Sequence, residues 1–103
     1  MPNAKPPTKQ TLAKYGLTEG DWLAHYALQG FRCGVCGADR DRLVIDHEHV
    51  RGWKAMPDEE RKLYVRGLTC WYCNHAYLGR GITVEKAEGV VNYLRRYEDR
   101  RPA

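Results

Sequence analysis

Apolar residues recur at helical spacing in two parts of the chain. The first helix is predicted between an N-cap at Thr18, with Asp21 as its capping partner, and a stop at Gly30. Its apolar residues fall on one side: Trp22, Leu23, Tyr26 and Ala27. A last helix is predicted after Thr83, with this apolar stripe: Val84, Ala87, Val91 and Leu94. Because Gly89 inside it costs about 1 kcal/mol relative to alanine, we expect packing to hold that helix in place.

Between these helices the pattern changes to that of a short β-hairpin. Residues 42–45 predict a first strand that delivers the polar run 46–49, and residues 63–66 predict the returning strand. The tip is long and polar, with a turn at Gly52 and one helical turn after Pro57. The order of elements predicts a small α+β fold.

The domain organisation follows from composition. Residues 1–11 contain three prolines, two lysines and few apolar side chains, which predicts a flexible N-terminal arm. Residues 12–103 are then expected to form a single domain. A chain of 103 residues has little core to spare, so a metal or disulfide staple is expected.

Four cysteines supply the candidate staple, as two Cys-x-x-Cys pairs separated by 33 residues. Each pair offers two sulfurs from one turn, and two such turns complete a tetrahedron around Zn²⁺, with Zn–S near ~2.3 Å. We therefore predict a closed, structural zinc site, with disulfides, a redox dithiol or a rubredoxin-like iron site as alternatives. Its ligands would be Cys33, Cys36, Cys70 and Cys73.

Charge and hydropathy narrow the class of protein. The formal net charge is +4, which four thiolates and one Zn²⁺ would bring to +2, so bulk charge is only weak evidence for a nucleic-acid partner. The cations are grouped, however, which favours phosphate contact: Lys5, Lys9, Lys14; Arg51, Lys54, Arg61, Lys62, Arg66; Arg95, Arg96, Arg100 and Arg101. The sequence has neither a membrane-spanning apolar stretch nor a hydrophobic signal core, so we expect a cytoplasmic protein with reduced thiols.

The residues with catalytic chemistry lie between and just after the cysteine pairs: Asp46, His47, His49 and Asn74. Histidine titrates near neutrality, so a neutral His47 can take a proton from water. Asp46 and the Asn74 amide are hard oxygen ligands that suit Mg²⁺, with Mn²⁺ as the other candidate ion. The set predicts metal-dependent hydrolysis of phosphodiesters.

Simpler interpretations stay open for the same residues. Asp46 can serve to bind a nearby arginine, and Asn74 can serve as a helix cap. If so, the protein is a catalytically silent zinc module that binds DNA or another protein. In that case Asp46, His47 and Asn74 could change without altering its activity.

Over roughly residues 15 to 80 the chain resembles the recombination endonuclease VII family of phage nucleases, a branch of the His-Me finger (HNH-like) superfamily. The matching segments are residues 15–18 (YGLT), 29–37 (QGFRCGVCG), 45–49 (IDHEH), 66–70 (RGLTC), 73–74 (CN) and 78–79 (LG). The resemblance implies a zinc-braced ββα-metal domain with flanking helices. It also implies His47 as general base, Asp46 and Asn74 on one Mg²⁺, and His49 on the phosphate.

The resemblance also suggests the substrate and the partners. The better-known members of this family resolve four-way junctions and other branched DNA as dimers. The resemblance therefore implies branched or duplex DNA, a possible homodimer and a phage origin. Two features depart from the family pattern: a longer insertion between Gly52 and Leu63, and only one clear helix after Gly79. A junction resolvase and a nickase therefore both remain candidates.

Overall fold

The computed structural model describes residues 2–79 and 81–102. Within these ranges the chain forms five α-helices and one two-stranded sheet: α1 (Lys9–Lys14), α2 (Glu19–Leu28), β1 (Val44–His47), α3 (Asp58–Arg61), β2 (Val65–Thr69), α4 (Trp71–Ala76) and α5 (Val84–Arg100). Two short 3₁₀ turns, Trp53–Ala55 and Lys62–Tyr64, flank α3. The predicted small α+β class is confirmed. None of the helices in the described ranges is long and apolar enough to cross a lipid bilayer.

Helix α2 begins where the sequence predicted. The Thr18 hydroxyl accepts a hydrogen bond from the Asp21 backbone N–H (3.1 Å), and the Asp21 carboxylate accepts one from the Thr18 N–H (2.9 Å). This reciprocal pair satisfies two of the N–H groups that a helix start leaves free. Trp22 and Tyr26 face inward and are almost fully buried, which makes α2 the main wall of the core.

The N-terminal segment differs from the flexible arm that its composition suggested. The boundary expected at residue 11 lies inside α1, whose start is capped by Thr8 and whose Leu12 is buried. Further upstream, Ala4 is also buried, and its N–H donates to the Tyr26 hydroxyl (3.0 Å). Long-range contacts with α2 hold this segment, and composition carries no signal of such contacts.

The hairpin forms, but its strands begin two residues later than expected, at Val44 and Val65. The strands are antiparallel, and their pairing contains a β-bulge: Asp46 lies opposite Gly67, whereas His47 lies opposite Val65. Arg66 is therefore the extra residue on β2. A bulge bends a strand and re-aims the side chains beside it, here those of Asp46 and His47.

The side chain of Gln29, just after α2, forms hydrogen bonds with β2 much as a neighbouring strand would. Its Oε1 accepts from the Leu68 N–H (2.8 Å), and its Nε2 donates to the Leu68 carbonyl (2.8 Å) and to the Arg32 carbonyl (2.9 Å). A Cβ at Gly67 would lie 2.6 Å from the Gln29 Oε1, so only glycine admits this approach. One amide thus ties the end of α2 to the sheet.

Helix α5 starts at the predicted N-cap, where the Thr83 hydroxyl accepts from the Lys86 N–H (3.1 Å). The expectation that its apolar stripe packs on the domain is wrong: no residue from 84 to 100 is buried, and Val84 and Leu94 are 75% and 53% exposed. The reason is that the core is closed without it. The residues buried there come from upstream of Asn74.

Replacing Gln29 with alanine should lower the free energy of unfolding by about 1–3 kcal/mol, because the half-buried Leu68 N–H loses its acceptor. The Leu68 carbonyl loses one of its two donors and keeps the Gly34 N–H. Urea denaturation measures the change in stability. Gln10→Ala is the matched control, since Gln10 is exposed on α1 and its change should stay within about 0.5 kcal/mol. Equal stability of the two variants would contradict the strand-like role of Gln29.

Candidate functional site

The four cysteines meet at one point although 33 residues separate the two pairs. All four sulfurs lie within 4.8 Å of one another, and those of Cys36 and Cys70 are 4.0 Å apart. Zn–S bonds of ~2.3 Å in a tetrahedron place sulfurs about 3.8 Å apart, so the donor set fits a metal such as zinc. The four thiols are free, so the structure does not contain the disulfides that were one alternative to a metal site.

Backbone N–H groups aimed at the sulfurs suit thiolates. Cys33 Sγ accepts from the N–H groups of Cys70 (3.2 Å) and Val35 (3.4 Å). Burial opposes ionisation of this thiol, but the hydrogen bonds outweigh it and lower the pKa of Cys33 to about 6. By contrast, burial and the neighbouring sulfurs raise the pKa of Cys73 to about 12. The cluster therefore needs a cation before all four sulfurs can be anionic.

Asp46 lies on β1 and Asn74 on α4, and the fold brings the two side chains together. The Asn74 side-chain Nδ2 lies 3.4 Å from Asp46 Oδ1. Asp46 is only 5% exposed, and Arg66 satisfies it with two charge-assisted bonds: Nε to Oδ2 (2.7 Å) and Nη2 to Oδ1 (2.9 Å). The hydrogen bonds that Arg66 donates to Asp46 raise the pKa of Arg66, so this guanidinium stays charged.

His47 lies among aromatic rings. Its imidazole is stacked on Trp53, with ring centroids 4.1 Å apart and an interplanar angle of 20°. The Tyr15 ring meets the imidazole edge-on with ring centroids 5.5 Å apart, and the centroid of the His49 ring lies 4.7 Å from that of His47. Burial is the main cause that lowers the pKa of His47 below its ordinary value of 6.5, and His49 lowers it further against the opposing Asp46 carboxylate. The imidazole is therefore neutral at neutral pH.

Asp46 and His47 are adjacent in sequence but line different cavities. Asp46 and Arg66 border a cavity of about 420 Å³ beside the start of α5. His47 and His49 border a groove of about 990 Å³. Alternation along β1 and the bulge between the two residues account for this. The end of β1 thus presents a carboxylate on one side and a neutral imidazole on the other.

For several cations of this region the sequence predicted phosphate contact, but no pattern placed them beside Asp46 or His47. The groove beside His47 is lined by three cations: Lys14, Lys54 and Arg61. Of these, Lys54 and Arg61 come from the insertion, as does the stacking Trp53. Arg66 was counted only among grouped charges, because the bulge that sets it beside Asp46 has no signal in the pattern of residues. Tyr15 belongs to one of the segments that carry the family resemblance, residues 15–18, but the sequence assigned it no role in the site.

Comparison with known proteins shows which family the chain is similar to. A family model described as recombination endonuclease VII matches residues 8–96. The Gene 59 protein of Mycobacterium phage D29 is 36% identical over 89 residues, which is 82% of this chain and 47% of that protein. The Gene 59 protein of Mycobacterium phage L5 is 37% identical over 71 residues, 66% of this chain and 37% of that protein. The chain thus spans less than half the length of these relatives.

No solved structure matches the chain. The family model, however, runs from the N-cap of α1 well into α5 and includes both cysteine pairs, the hairpin and Asn74. A match over that much of the chain shows that this protein belongs to the recombination endonuclease VII family.

Proposed function

We propose that the protein is a metal-dependent endonuclease that hydrolyses phosphodiester bonds of DNA. The observation that carries the proposal is the end of β1, where a neutral His47 stands on one side and the Asp46–Asn74 pair on the other. Membership of an endonuclease family supports it. The hairpin followed by α4 would then serve as the ββα-metal unit of the His-Me finger type.

In this mechanism His47 is the general base. Its neutral imidazole takes a proton from water, the water oxygen forms a bond to phosphorus, and the bond to the leaving oxygen breaks. The products are a phosphate monoester and an alcohol, whose oxygen acquires a proton. In-line displacement puts the attacking and leaving oxygens on opposite sides of phosphorus. One phosphate would therefore have to lie at the end of β1, where the adjacent residues Asp46 and His47 can both reach it.

Asp46 and Asn74 would hold one Mg²⁺ or Mn²⁺. When bound, the ion would stabilise negative charge on the leaving oxygen. The residues fit this group: the donors would be the Asp46 carboxylate and the Asn74 amide oxygen. Asp46 Oδ1 accepts from both Arg66 and Asn74, but Oδ2 accepts only from Arg66 and keeps a lone pair for the ion. Arg66 also offsets the charge of the buried carboxylate.

The DNA phosphates would be held by cations around the groove. Lys14, Lys54 and Arg61 line it beside His49, to which we assign contact with the scissile phosphate. The substrate is branched or duplex DNA in the host cytoplasm. A homodimer would supply the second active site that concerted cutting of two strands requires, and the exposed apolar side of α5 is available for such pairing.

The cysteine cluster would hold a structural Zn²⁺. With all four positions occupied by protein, the ion has no open site for substrate and acts by joining the two cysteine turns. That junction fixes α4 against the hairpin. The zinc would therefore position Asn74 without taking part in the chemistry.

The purified chain should contain one zinc per molecule, and Cys70→Ser should lose it and unfold at a much lower temperature. Metal binding at such sites supplies on the order of 10 kcal/mol of apparent folding free energy. Elemental analysis and circular dichroism during heating measure both effects, and Co²⁺ substitution should give tetrathiolate absorption. His25→Ala should keep the metal. A folded, metal-free wild type with an unchanged melting temperature would contradict the zinc assignment.

Replacing His47 with alanine should reduce Mg²⁺-dependent cleavage by a factor of at least about 100, because the general base is lost. The assay uses supercoiled plasmid and a synthetic four-way junction, with brief EDTA exposure as the metal-free arm. Gln10→Ala, at an exposed position on α1 that lines neither cavity, is the control and should cleave normally. Cleavage by His47→Ala at the wild-type rate would remove His47 as the base. A folded wild type that binds both DNAs but cuts neither would favour the silent zinc module.

The substrate that the protein prefers would distinguish a nickase from a junction resolvase. Nicked plasmid circles with an intact junction would indicate a nickase. Symmetrical cuts in the four-way junction would indicate a resolvase and, with it, a dimer.

A further inference from the structure

The Trp53 indole is held by its own segment. Its Nε1–H donates to the Arg61 carbonyl (3.1 Å), so the two ends of the insertion at residues 53–62 are joined across its fold. The Arg61 guanidinium donates to the Ala13 carbonyl at the end of α1 (3.0 Å) and pairs with Asp58. A chain of contacts therefore runs from α1 through Arg61 to Trp53.

The insertion also lies directly against the loop after α1. Gly16 has a left-handed backbone with φ of +72°, and a Cβ there would lie 2.4 Å from the Asp58 carbonyl oxygen. No side chain other than glycine's hydrogen fits between the two backbones. The ring of Tyr15, next to Gly16, packs against two other rings. The ring centroids are 5.7 Å apart for Trp53 and 5.5 Å apart for His47. The insertion is thus packed into the domain at several points.

These contacts converge on one face of one imidazole. The Trp53 indole lies nearly parallel to that face, with ring centroids 4.1 Å apart, and Tyr15 contacts the imidazole edge-on. An imidazole otherwise turns broadly about its Cβ–Cγ bond, because such sp³–sp² torsions have shallow wells. A base that must accept a proton from one water needs its lone pair aimed at that water.

We propose that the 53–62 insertion is a working part of the active site, in which Trp53 is a positioning residue that fixes the plane of the His47 ring. This inference rests on the proposed role of His47 as general base. Trp53 reaches the reaction only through His47, so its removal should slow the chemical step and leave DNA binding unchanged.

The test compares Trp53→Ala and Trp53→Phe with His47→Ala and with Trp71→Ala. Trp71 is the matched control because it stacks on His75 with the same centroid distance, 4.1 Å, but is 64% exposed on α4. Two readouts are used: steady-state cleavage of plasmid DNA with Mg²⁺, and NMR shifts of the His47 ring protons, which a stacked indole moves upfield.

Trp53→Ala should lower kcat by about 10- to 100-fold, the effect expected of a misplaced catalytic group. KM should change by less than about 3-fold, since no binding group is removed. The His47 ring protons should move downfield. Trp53→Phe should restore most of kcat, because a ring again covers the imidazole, and Trp71→Ala should match wild type.

Three results would overturn the inference: an unchanged kcat in Trp53→Ala, a raised KM with unchanged kcat, or His47 shifts that do not respond to Trp53. Failure of the proposed function itself gives a different result, in which His47→Ala still cleaves. If Trp53→Ala does not fold, Trp53→Leu keeps the apolar volume without a stacking ring and takes its place in both readouts.

Discussion

The convergence of four sulfurs within 4.8 Å is the constraint on which the rest of the structure depends. It joins the turn after α2 to the start of α4, two places that the hairpin separates along the chain. Cys33 Sγ also accepts the N–H of Cys70, so one sulfur contributes to both the cluster and the backbone junction. The core itself is small, and three cysteines are part of it: Cys33, Cys70 and Cys73. The cysteine cluster and the hydrophobic core therefore form one structural unit.

From that junction the placement of polar groups follows. Asn74 comes directly after the last cysteine, so fixing the cysteine fixes the amide beside Asp46. Arg66 occupies the bulge and neutralises the Asp46 carboxylate, which is almost fully buried. Burying this carboxylate without a cationic partner would be energetically costly. On the other side of β1 the environment is aromatic, and it keeps His47 neutral. Two neighbouring residues thus have opposite electrostatic surroundings.

The sequence predicted the parts of this structure that depend on local chemistry. Thr18 and Thr83 cap helices because their hydroxyls accept from nearby N–H groups, and Cys-x-x-Cys spacing brings sulfurs together within one turn. Two distant contacts were also predicted, the meeting of the cysteine pairs and the pairing of the strands, because each has its own residue pattern. Distant contacts without such a pattern were missed. The burial of Ala4 needs the Tyr26 hydroxyl, and the position of Trp53 needs Arg61 and α1. No local pattern records such pairs. The exposed stripe of α5 was misjudged for the opposite reason, because periodicity shows amphipathicity but not whether a partner surface exists.

The exposure of α5 has a consequence for how stability is distributed along the chain. With no buried residue between Val84 and Arg100, this helix is held by its N-cap and its own backbone bonds, and Gly89 weakens those. Its amide protons should therefore exchange with solvent through local opening, whereas those of α2 and β2 await opening of the whole core. Truncation or proteolytic clipping beyond Gly79 would remove no residue of the buried core or the sulfur cluster, but it would remove one wall of the cavity beside Asp46. The C-terminal helix is in that sense a separate cooperative unit attached to the domain.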